Sequence, residues 1–235
     1  MIGPVVTILL TKEIAMRLFS YRSFLLFPFF CSLCSCALFQ KKPESHATGY
    51  LADRGVVRIW QHTTSSNYTT LQTIFTPFDD SNESEAVYHW DQDSLVSITK
   101  QSLQGPEDRF SARFSRKDGT TTFMQQKYAT SRQPLTVNEL ELAKFEAQRL
   151  LEASRDLIDG RVELHQGRWL STQQVETCDR NLAQFHFTER ENQRLSSLSQ
   201  QSPAYVAWIE APEGQQVLLM TTRNLCQQQP NYSKK

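Results

Sequence analysis

The stretch TVNELELAKFEAQRLLEASRDLIDG, residues 136–160, decides the fold, because its apolar residues repeat at helical spacing in a chain otherwise patterned as strands. Thr136 and Glu139 have the spacing of a capping box, and Gly160 provides a stop signal. We predict one long helix over about residues 136–159, packed through its apolar stripe against a sheet. Leu142 and Phe145 fall off that stripe, and the pattern leaves open whether they meet a second layer or solvent. The stripe consists of Leu140, Ala143, Ala147, Leu150, Leu151, Leu157 and Ile158.

Six short runs with strand character precede this helix and are separated by turn residues. In the clearest of them, Phe110, Ala112 and Phe114 alternate with polar residues, and Asp118 with Gly119 then turns the chain into the next run. Consecutive strands without intervening helices favour an antiparallel meander, which we expect to be a curled or partly closed sheet. The six runs are residues 56–62, 71–76, 86–90, 95–101, 109–115 and 121–127.

Strand patterns resume after the helix, so the predicted fold class is α+β and mostly antiparallel. Residues 161–165 and 168–171 are predicted as two strands around a turn at Gln166 and Gly167, and Thr188 begins a short helix through a second capping box. The run 217–220 is apolar throughout, which indicates a strand covered on both faces. The remaining strand predictions are residues 175–178, 183–187, 205–210 and 217–222.

Residues 16–36, MRLFSYRSFLLFPFFCSLCSC, have the order of a bacterial lipoprotein export signal. Basic residues precede a short apolar core, and Leu33 and Ser35 stand at the −3 and −1 positions before Cys36, as in a lipobox. We therefore expect residues 1–35 to be a signal peptide, translated from Met16, and Cys36 to carry the lipid. A membrane-spanning signal anchor over residues 23–39 is the alternative, which the interruption by Pro28 disfavours.

The rest of the chain divides into a lipidated tether, a domain and a tail. We predict a tether over residues 36–48, a single periplasmic α+β domain over residues 49–226 and a polar tail over residues 227–235. The chain has 25 basic and 25 acidic residues, so its net charge offers no attraction to nucleic acid.

Cys178 and Cys226 are the two cysteines that remain after cleavage besides the lipidated one, and an oxidising periplasm favours a disulfide between them. A redox or catalytic thiol is the alternative reading. It is weaker, because neither cysteine stands in a C-x-x-C motif or beside a histidine.

The histidines and the short polar motifs match no known catalytic or metal-binding pattern. The five histidines have no ligand spacing, and Asp91 with Asp93 reads as a hairpin turn and not as a calcium loop. The sequence therefore predicts no catalytic residue, no metal site and no cofactor. A catalytic group assembled only in the fold, around His165 or His186, stays open as the basis of a hydrolase.

Two Arg–Trp pairs are the candidate ligand-binding residues. Arg58 with Trp60 and Arg168 with Trp169 place an indole beside a guanidinium on strand-like segments. Such tryptophans are usually core residues. If several of them line a curled sheet instead, they form an aromatic surface suited to a peptide, a glycan or a lipid.

Five stretches of the domain resemble the YjaH-like family of Gram-negative lipoproteins, a domain of unknown function numbered 1481. The similarity covers nearly all of the mature chain, but it brings no known reaction. Since Ala37 is not the aspartate that retains such lipoproteins at the inner membrane, the resemblance implies the periplasmic face of the outer membrane. The stretches are GYLADRGVVRIW (49–60), RFSARFSRKDGTTTFMQQ (109–126), QGRW (166–169), TC (177–178) and VAWIEAPEGQQVLLM (206–220).

These observations favour a membrane-anchored, non-enzymatic binding or scaffolding module of the cell envelope. Its expected partners are the lipid bilayer, through acylated Cys36, and an envelope protein, a glycan or a lipid as ligand. An envelope hydrolase and a purely structural lipoprotein are the alternatives.

Overall fold

The computed structural model describes residues 42–79, 82–104, 108–128 and 130–231. The predicted signal peptide, the lipidation site Cys36, most of the tether and the last four residues of the tail lie outside these ranges.

An eight-stranded antiparallel sheet occupies the first half of the domain, and its strands are neighbours in sequence order, which confirms the predicted meander. Each strand pairs only with the strands before and after it, so the sheet is open and has edges at its first and last strands. The strands are β1 (Glu44–Ala52), β2 (Gly55–Thr63), β3 (Tyr68–Pro77), β4 (Ser84–Asp91), β5 (Ser94–Ser102), β6 (Arg109–Phe114), β7 (Thr121–Lys127) and β8 (Arg132–Gln133).

Strand β1 was not predicted as a strand. It starts at Glu44, inside the segment predicted as a tether, and pairs with β2 over its full length. Its first half is polar and exposed because it lies at the edge of the sheet, which removes the alternating apolar signal that identified the other strands.

Helix α1 (Val137–Asp159) follows the first sheet and confirms the predicted helix. The Thr136 hydroxyl accepts the Glu139 N–H, and the Glu139 carboxylate accepts the Thr136 N–H, so the predicted capping box is formed. Leu142 and Phe145 remain about two-thirds exposed, at 66% and 65%. Among the described residues, no helix combines the length and the apolar character needed to cross a membrane.

A second, five-stranded antiparallel sheet follows α1, in the order β11-β10-β9-β12-β13. The predicted break at Gln166 and Gly167 is wrong, because both residues lie inside one continuous strand. Gly167 is needed there for close strand packing, since a Cβ atom would come within 2.3 Å of the Glu176 carbonyl oxygen. The elements are β9 (Glu163–Ser171), β10 (Gln174–Thr177), β11 (Leu182–Gln184), helix α2 (Glu189–Ser199), β12 (Tyr205–Ala211), β13 (Gly214–Thr221) and a final 3-10 helix (Leu225–Gln227).

The domain has four layers, in the order α1, first sheet, second sheet and α2. One face of β2 buries Val57 and Ile59 against α1, while its other face places Val56 and Trp60 against the second sheet. On the far side of the second sheet, a third apolar cluster around Trp208 packs against α2. The α+β prediction is therefore confirmed in outline. The architecture is two open sheets with one long and one short helix, where a single curled or partly closed sheet was expected.

Candidate functional site

A cleft of about 730 Å³ lies between the beginning of β1 and the beginning of β9. This volume is within the range of small-ligand and peptide sites, roughly 300–1,000 Å³. Ser45, His46 and Ala47 of β1 form one wall, and residues 163–166 of β9 form the opposite wall. The loop after β10 closes one end with Cys178, Asp179 and Asn181. We refer to this feature as the β1–β9 cleft.

The wall formed by β9 presents a strand edge. Strand β10 pairs with β9 only opposite residues 167–171, and β12 pairs with the other side of β9 over residues 163–168. Beyond Thr177 the chain turns away, held by a hydrogen bond from the Arg180 N–H to the Thr177 carbonyl, 2.9 Å. Among the described strands, none therefore pairs with residues 163–165 on the cleft side.

Three charged residues line the β1–β9 cleft: Arg161, Glu163 and Asp179. The Asp179 Oδ1 atom is buried and accepts no hydrogen bond from the described residues. A buried acceptor without a donor costs about 1–3 kcal/mol. A side-chain rotation that brought this oxygen to the cleft would let a bound donor remove that cost.

The backbone is strained on both sides of the cleft. Arg161 and Arg180 both have left-handed backbone angles, with φ of 57° and 62°, which non-glycine residues adopt at a cost. Strain of this kind costs of order 1–3 kcal/mol per residue. Asn67 and Gln92, in turns of the first sheet, have similar angles, so the angle alone does not mark the cleft.

His165 in the cleft has carboxylates nearby, and Ser45 of the cleft contacts a histidine, His62, that does not itself line it. His165 Nε2 lies 3.9 Å from a Glu163 oxygen and 3.8 Å from a Glu210 oxygen, and its ring stacks on Trp208. At the β1 side, Ser45 Oγ lies 2.8 Å from His62 Nδ1. These are two separate groups, because Ser45 contacts His62 while the carboxylates contact His165.

Cys178 and Cys226 form a disulfide, as predicted. Cys178 lines the cleft, and its N–H donates to the Gln166 carbonyl at 3.1 Å, so the bond fixes the end of the cleft to β9. The alternative reading, a free redox or catalytic thiol, does not apply to these two cysteines in this structure.

Arg58 is fully buried, at 0% exposure, in a polar network between the two sheets. Its guanidinium donates to Gln166 Oε1 at 3.2 Å and to Gln228 Oε1 at 2.6 Å, and it lies 3.6 Å from the buried carboxylate of Glu83. Burial lowers the pKa of Arg58 to about 10, although Glu83 favours the charged form. Its contacts join β2, β9 and the segment after the 3-10 helix, so this network links the two sheets.

The four residues predicted as a ligand surface do not gather at one place. Trp60 is 1% exposed and lines the inner end of the cleft, with the Arg58 guanidinium 5.9 Å from its ring centre. Arg168 is exposed and pairs with Glu176 through two hydrogen bonds, and Trp169 packs on the α2 side. Of the four, only Trp60 belongs to the cleft. The binding role assigned to the set stays a prediction.

A smaller cavity of about 320 Å³ lies beside α1, and its two glutamates already have partners. Glu146 pairs with Lys100, and Glu85 accepts hydrogen bonds from Gln72 and Gln101. Within the described ranges, no group of three His, Cys, Asp or Glu side chains is arranged to hold a metal ion. The β1–β9 cleft is therefore the stronger candidate site.

Sequence reasoning singled out Trp60 and His165, and Cys178 as a disulfide partner, but missed the charged residues of the cleft. Arg161, Glu163 and Asp179 carry no motif, and the cleft forms only because two separate sheets pack at this point. The one local signal was the short polar run between β10 and β11, which ends in a left-handed Arg180.

Comparisons with known proteins agree with the resemblance described above. The chain is 30% identical over 208 residues to the uncharacterised protein YjaH of Escherichia coli K12, covering 85% of this chain and 87% of that relative. No solved structure matches significantly. The family described as "Protein of unknown function (DUF1481)" matches residues 47–231, which include nearly all of the described domain. On both grounds, the chain belongs to the DUF1481 family.

Proposed function

We propose that this protein is a lipid-anchored, non-enzymatic binding or scaffolding module on the periplasmic face of the outer membrane, and that the β1–β9 cleft is its binding site. The observation that carries the proposal is the cleft itself. It is large enough for a ligand, it exposes a strand edge, and it contains a buried carboxylate oxygen without a donor.

Two features support a location outside the cytoplasm. Leu33, Ser35 and Cys36 follow the lipobox pattern, and the Cys178–Cys226 disulfide suits an oxidising compartment. Two or three acyl chains on one cysteine would attach the domain stably, whereas one chain binds a membrane only weakly.

The binding proposal is tested by photo-crosslinking in living cells. A photoreactive amino acid replaces Asn181, an exposed residue of the cleft, and in a matched variant it replaces Gln193, an exposed residue of α2. We expect a specific crosslinked partner from position 181 and none from position 193. Equal crosslinking at both positions, or none at position 181, would contradict a binding role for the cleft.

The anchoring proposal is tested by labelling with radioactive palmitate. We expect the parent protein to incorporate the label and to fractionate with outer membranes, while a Cys36→Ser variant does neither. A variant that still enters the outer membrane, or a parent protein without label, would refute the anchor.

An envelope hydrolase is the second candidate, favoured by the 2.8 Å contact between Ser45 Oγ and His62 Nδ1. Ser45 lies outside the family match of residues 47–231, so a nucleophile at this position would not be a property of the family. A fluorophosphonate probe that labels the parent protein but not a Ser45→Ala variant would favour the hydrolase, and absence of labelling would count against it.

A further inference from the structure

In the β1–β9 cleft, one edge of β9 faces open space at residues 163–165. Strand β10 runs antiparallel to β9 as far as Thr177, and the loop after it then turns away at Arg180. A continuation of β10 would have lain alongside residues 163–165 of β9. Among the described residues, no strand occupies that position.

From this geometry we propose that the cleft binds an extended polypeptide segment, which adds as a short strand to residues 163–166 of β9. The inference rests on the proposed function, since it names the ligand class of the same cleft. Strand addition supplies main-chain hydrogen bonds for affinity, and side-chain pockets on alternate positions for selectivity.

The walls of the cleft indicate what side chains this segment carries. Successive residues of an added strand point to opposite faces. On one face lie the apolar side chains of Trp60 and Leu164, which belong to the core between the two sheets. On the other face, Glu163 stands near His165. The charged lining has two carboxylates, Glu163 and Asp179, and one guanidinium, Arg161, so it is acidic on balance. The favoured segment therefore alternates apolar residues with basic ones.

Asp179 gives the preference for a basic residue its physical basis. Asp179 lines the cleft, so an ammonium or guanidinium group of a ligand beside its carboxylate would form a charge-assisted hydrogen bond. Its covered Oδ1, which has no donor among the described residues, would become available to the ligand only if the side chain turned. The loop that carries Asp179 is held by the neighbouring disulfide and by the hydrogen bond from the Thr177 N–H to the Asn181 carbonyl, 2.8 Å. The backbone that carries the carboxylate is thus fixed in place before a ligand arrives, which reduces the entropy lost on binding.

The experiment selects binders from a phage-displayed library of random linear octapeptides on the full-length, acylated protein in detergent. The best peptides are then synthesised and their affinities measured. We expect enriched sequences that alternate apolar and basic residues. Hydrogen–deuterium exchange should show new protection of the backbone amides of Leu164 and Gln166, which face the cleft side of β9, when these peptides are bound; the amides of Glu163 and His165 face β12.

Two matched comparisons test the mode of binding. Asp179→Asn keeps the shape of the side chain but removes its charge, and it should weaken the basic peptides at least tenfold, while Asp118→Asn in the distant β6–β7 turn should not. Two further peptides carry N-methyl groups, one on its odd-numbered and the other on its even-numbered backbone nitrogens. One of the two should lose at least tenfold in affinity, because its methyl groups block hydrogen bonding to the edge of β9.

Three results would overturn the proposal. The first is a failure to enrich any peptide, and the second is a bound peptide that gives no new protection at Leu164 and Gln166. The third is protection of these amides that appears without peptide and grows with protein concentration, because the added strand would then come from a second copy of the chain.

If no peptide is enriched while crosslinking at position 181 still captures a partner, the cleft remains a binding site and only strand addition fails. If both experiments fail, the proposed function fails as well.

Discussion

Arg58 and Arg168 each stand two residues or fewer from a tryptophan, yet the fold places them in opposite environments. Arg58 has no exposed surface and contacts Glu83, which is 1% exposed, whereas the Arg168 side chain is 47% exposed and pairs with Glu176 at the surface. Without Arg58, the Oε1 atoms of Gln166 and Gln228 lose their donor, while Glu83 keeps Arg223 at 3.2 Å. Buried acceptors without a donor are costly, whereas a surface ion pair contributes little.

We therefore predict that Arg58→Met lowers the free energy of unfolding by about 2–5 kcal/mol, and that the matched Arg168→Met changes it by less than about 1 kcal/mol. Urea denaturation followed by circular dichroism measures both values. Equal losses in the two variants would show that the network around Arg58 does not stabilise the contact between the sheets.

His89 provides a prediction at acidic pH. The ring is partly buried, stacks on Tyr68 and lies 3.0 Å from Thr70 Oγ1, and its burial lowers its pKa below the ordinary value of 6.5. Between the two pKa values the unfolded chain binds a proton that the folded chain does not. Stability is therefore lost as the pH falls below about 6.5.

His89→Gln removes this proton from both states. We expect the free energy of unfolding of the variant to fall less steeply than that of the parent protein between pH 6.5 and pH 4.5, as measured by urea denaturation at a series of pH values. The comparison at pH 7.5 gives the cost of the substitution itself. If the free energies of unfolding of the two proteins fall equally steeply over this pH range, His89 does not contribute to the acid sensitivity.

At the scale of single residues, the sequence predicted the disulfide but not the polar network. Cys178 and Cys226 were the two cysteines left for pairing. An arginine and a glutamate, by contrast, are almost never fully buried unless paired, and nothing local indicated that Arg58 and Glu83 would meet. Their contact depends on how a loop of the first sheet meets a strand.

Helix α1 allows a comparison between two leucines on one element. Leu140 is 5% exposed and packs against the first sheet, whereas Leu142, two residues further on, is 66% exposed. We predict that Leu140→Ala costs about 2–5 kcal/mol of folding free energy, and that Leu142→Ala changes it by at most about 0.5 kcal/mol. Thermal and urea denaturation of both variants measure this difference. A large loss for Leu142→Ala would mean that a partner covers the outer face of the helix.

At the scale of elements, the sequence predicted α1 and the hairpins well, because apolar spacing and turn residues act locally. The turn after β6, for example, has Gly119 at a φ of 68°, as its position in the pattern suggested. The edge strand β1 was missed because its exposed half has no apolar alternation. The continuity of β9 was missed because Gly167 read as a turn, while its role is to let Glu176 of the neighbouring strand approach.

The whole molecule depends on contacts between two sheets that the sequence did not separate. Residues on both faces of β2 are buried, which is the pattern of a strand between two layers and not of a curled sheet with a solvent face. The β1–β9 cleft lies where these sheets diverge. It could not have been found from local spacing, since its walls are more than 100 residues apart in sequence.

The C-terminal segment holds the two sheets together through two interactions, a disulfide and a set of buried hydrogen bonds, that lie within a few residues of each other. The disulfide attaches Cys226 to the second sheet across a sequence separation of 48 residues, and Gln228 contacts both Arg58 and Glu83. On the chain-entropy account, closing such a loop stabilises the fold by about 4 kcal/mol. We predict a loss of that size in the Cys178→Ser, Cys226→Ser double variant, measured by urea denaturation.

The contributions of the disulfide and of the Gln228 hydrogen bonds to the free energy of unfolding should also be coupled. In the disulfide-bonded protein, Gln228→Ala leaves part of a buried polar network unsatisfied and should cost about 1–3 kcal/mol. Without the disulfide, the segment around Gln228 is free to detach, so the same substitution should cost clearly less. A double-mutant cycle of unfolding free energies measures the coupling, with the distant Leu140→Ala as a control that should add independently. Additive losses for Gln228→Ala would mean that the disulfide and the polar network stabilise separate parts of the domain.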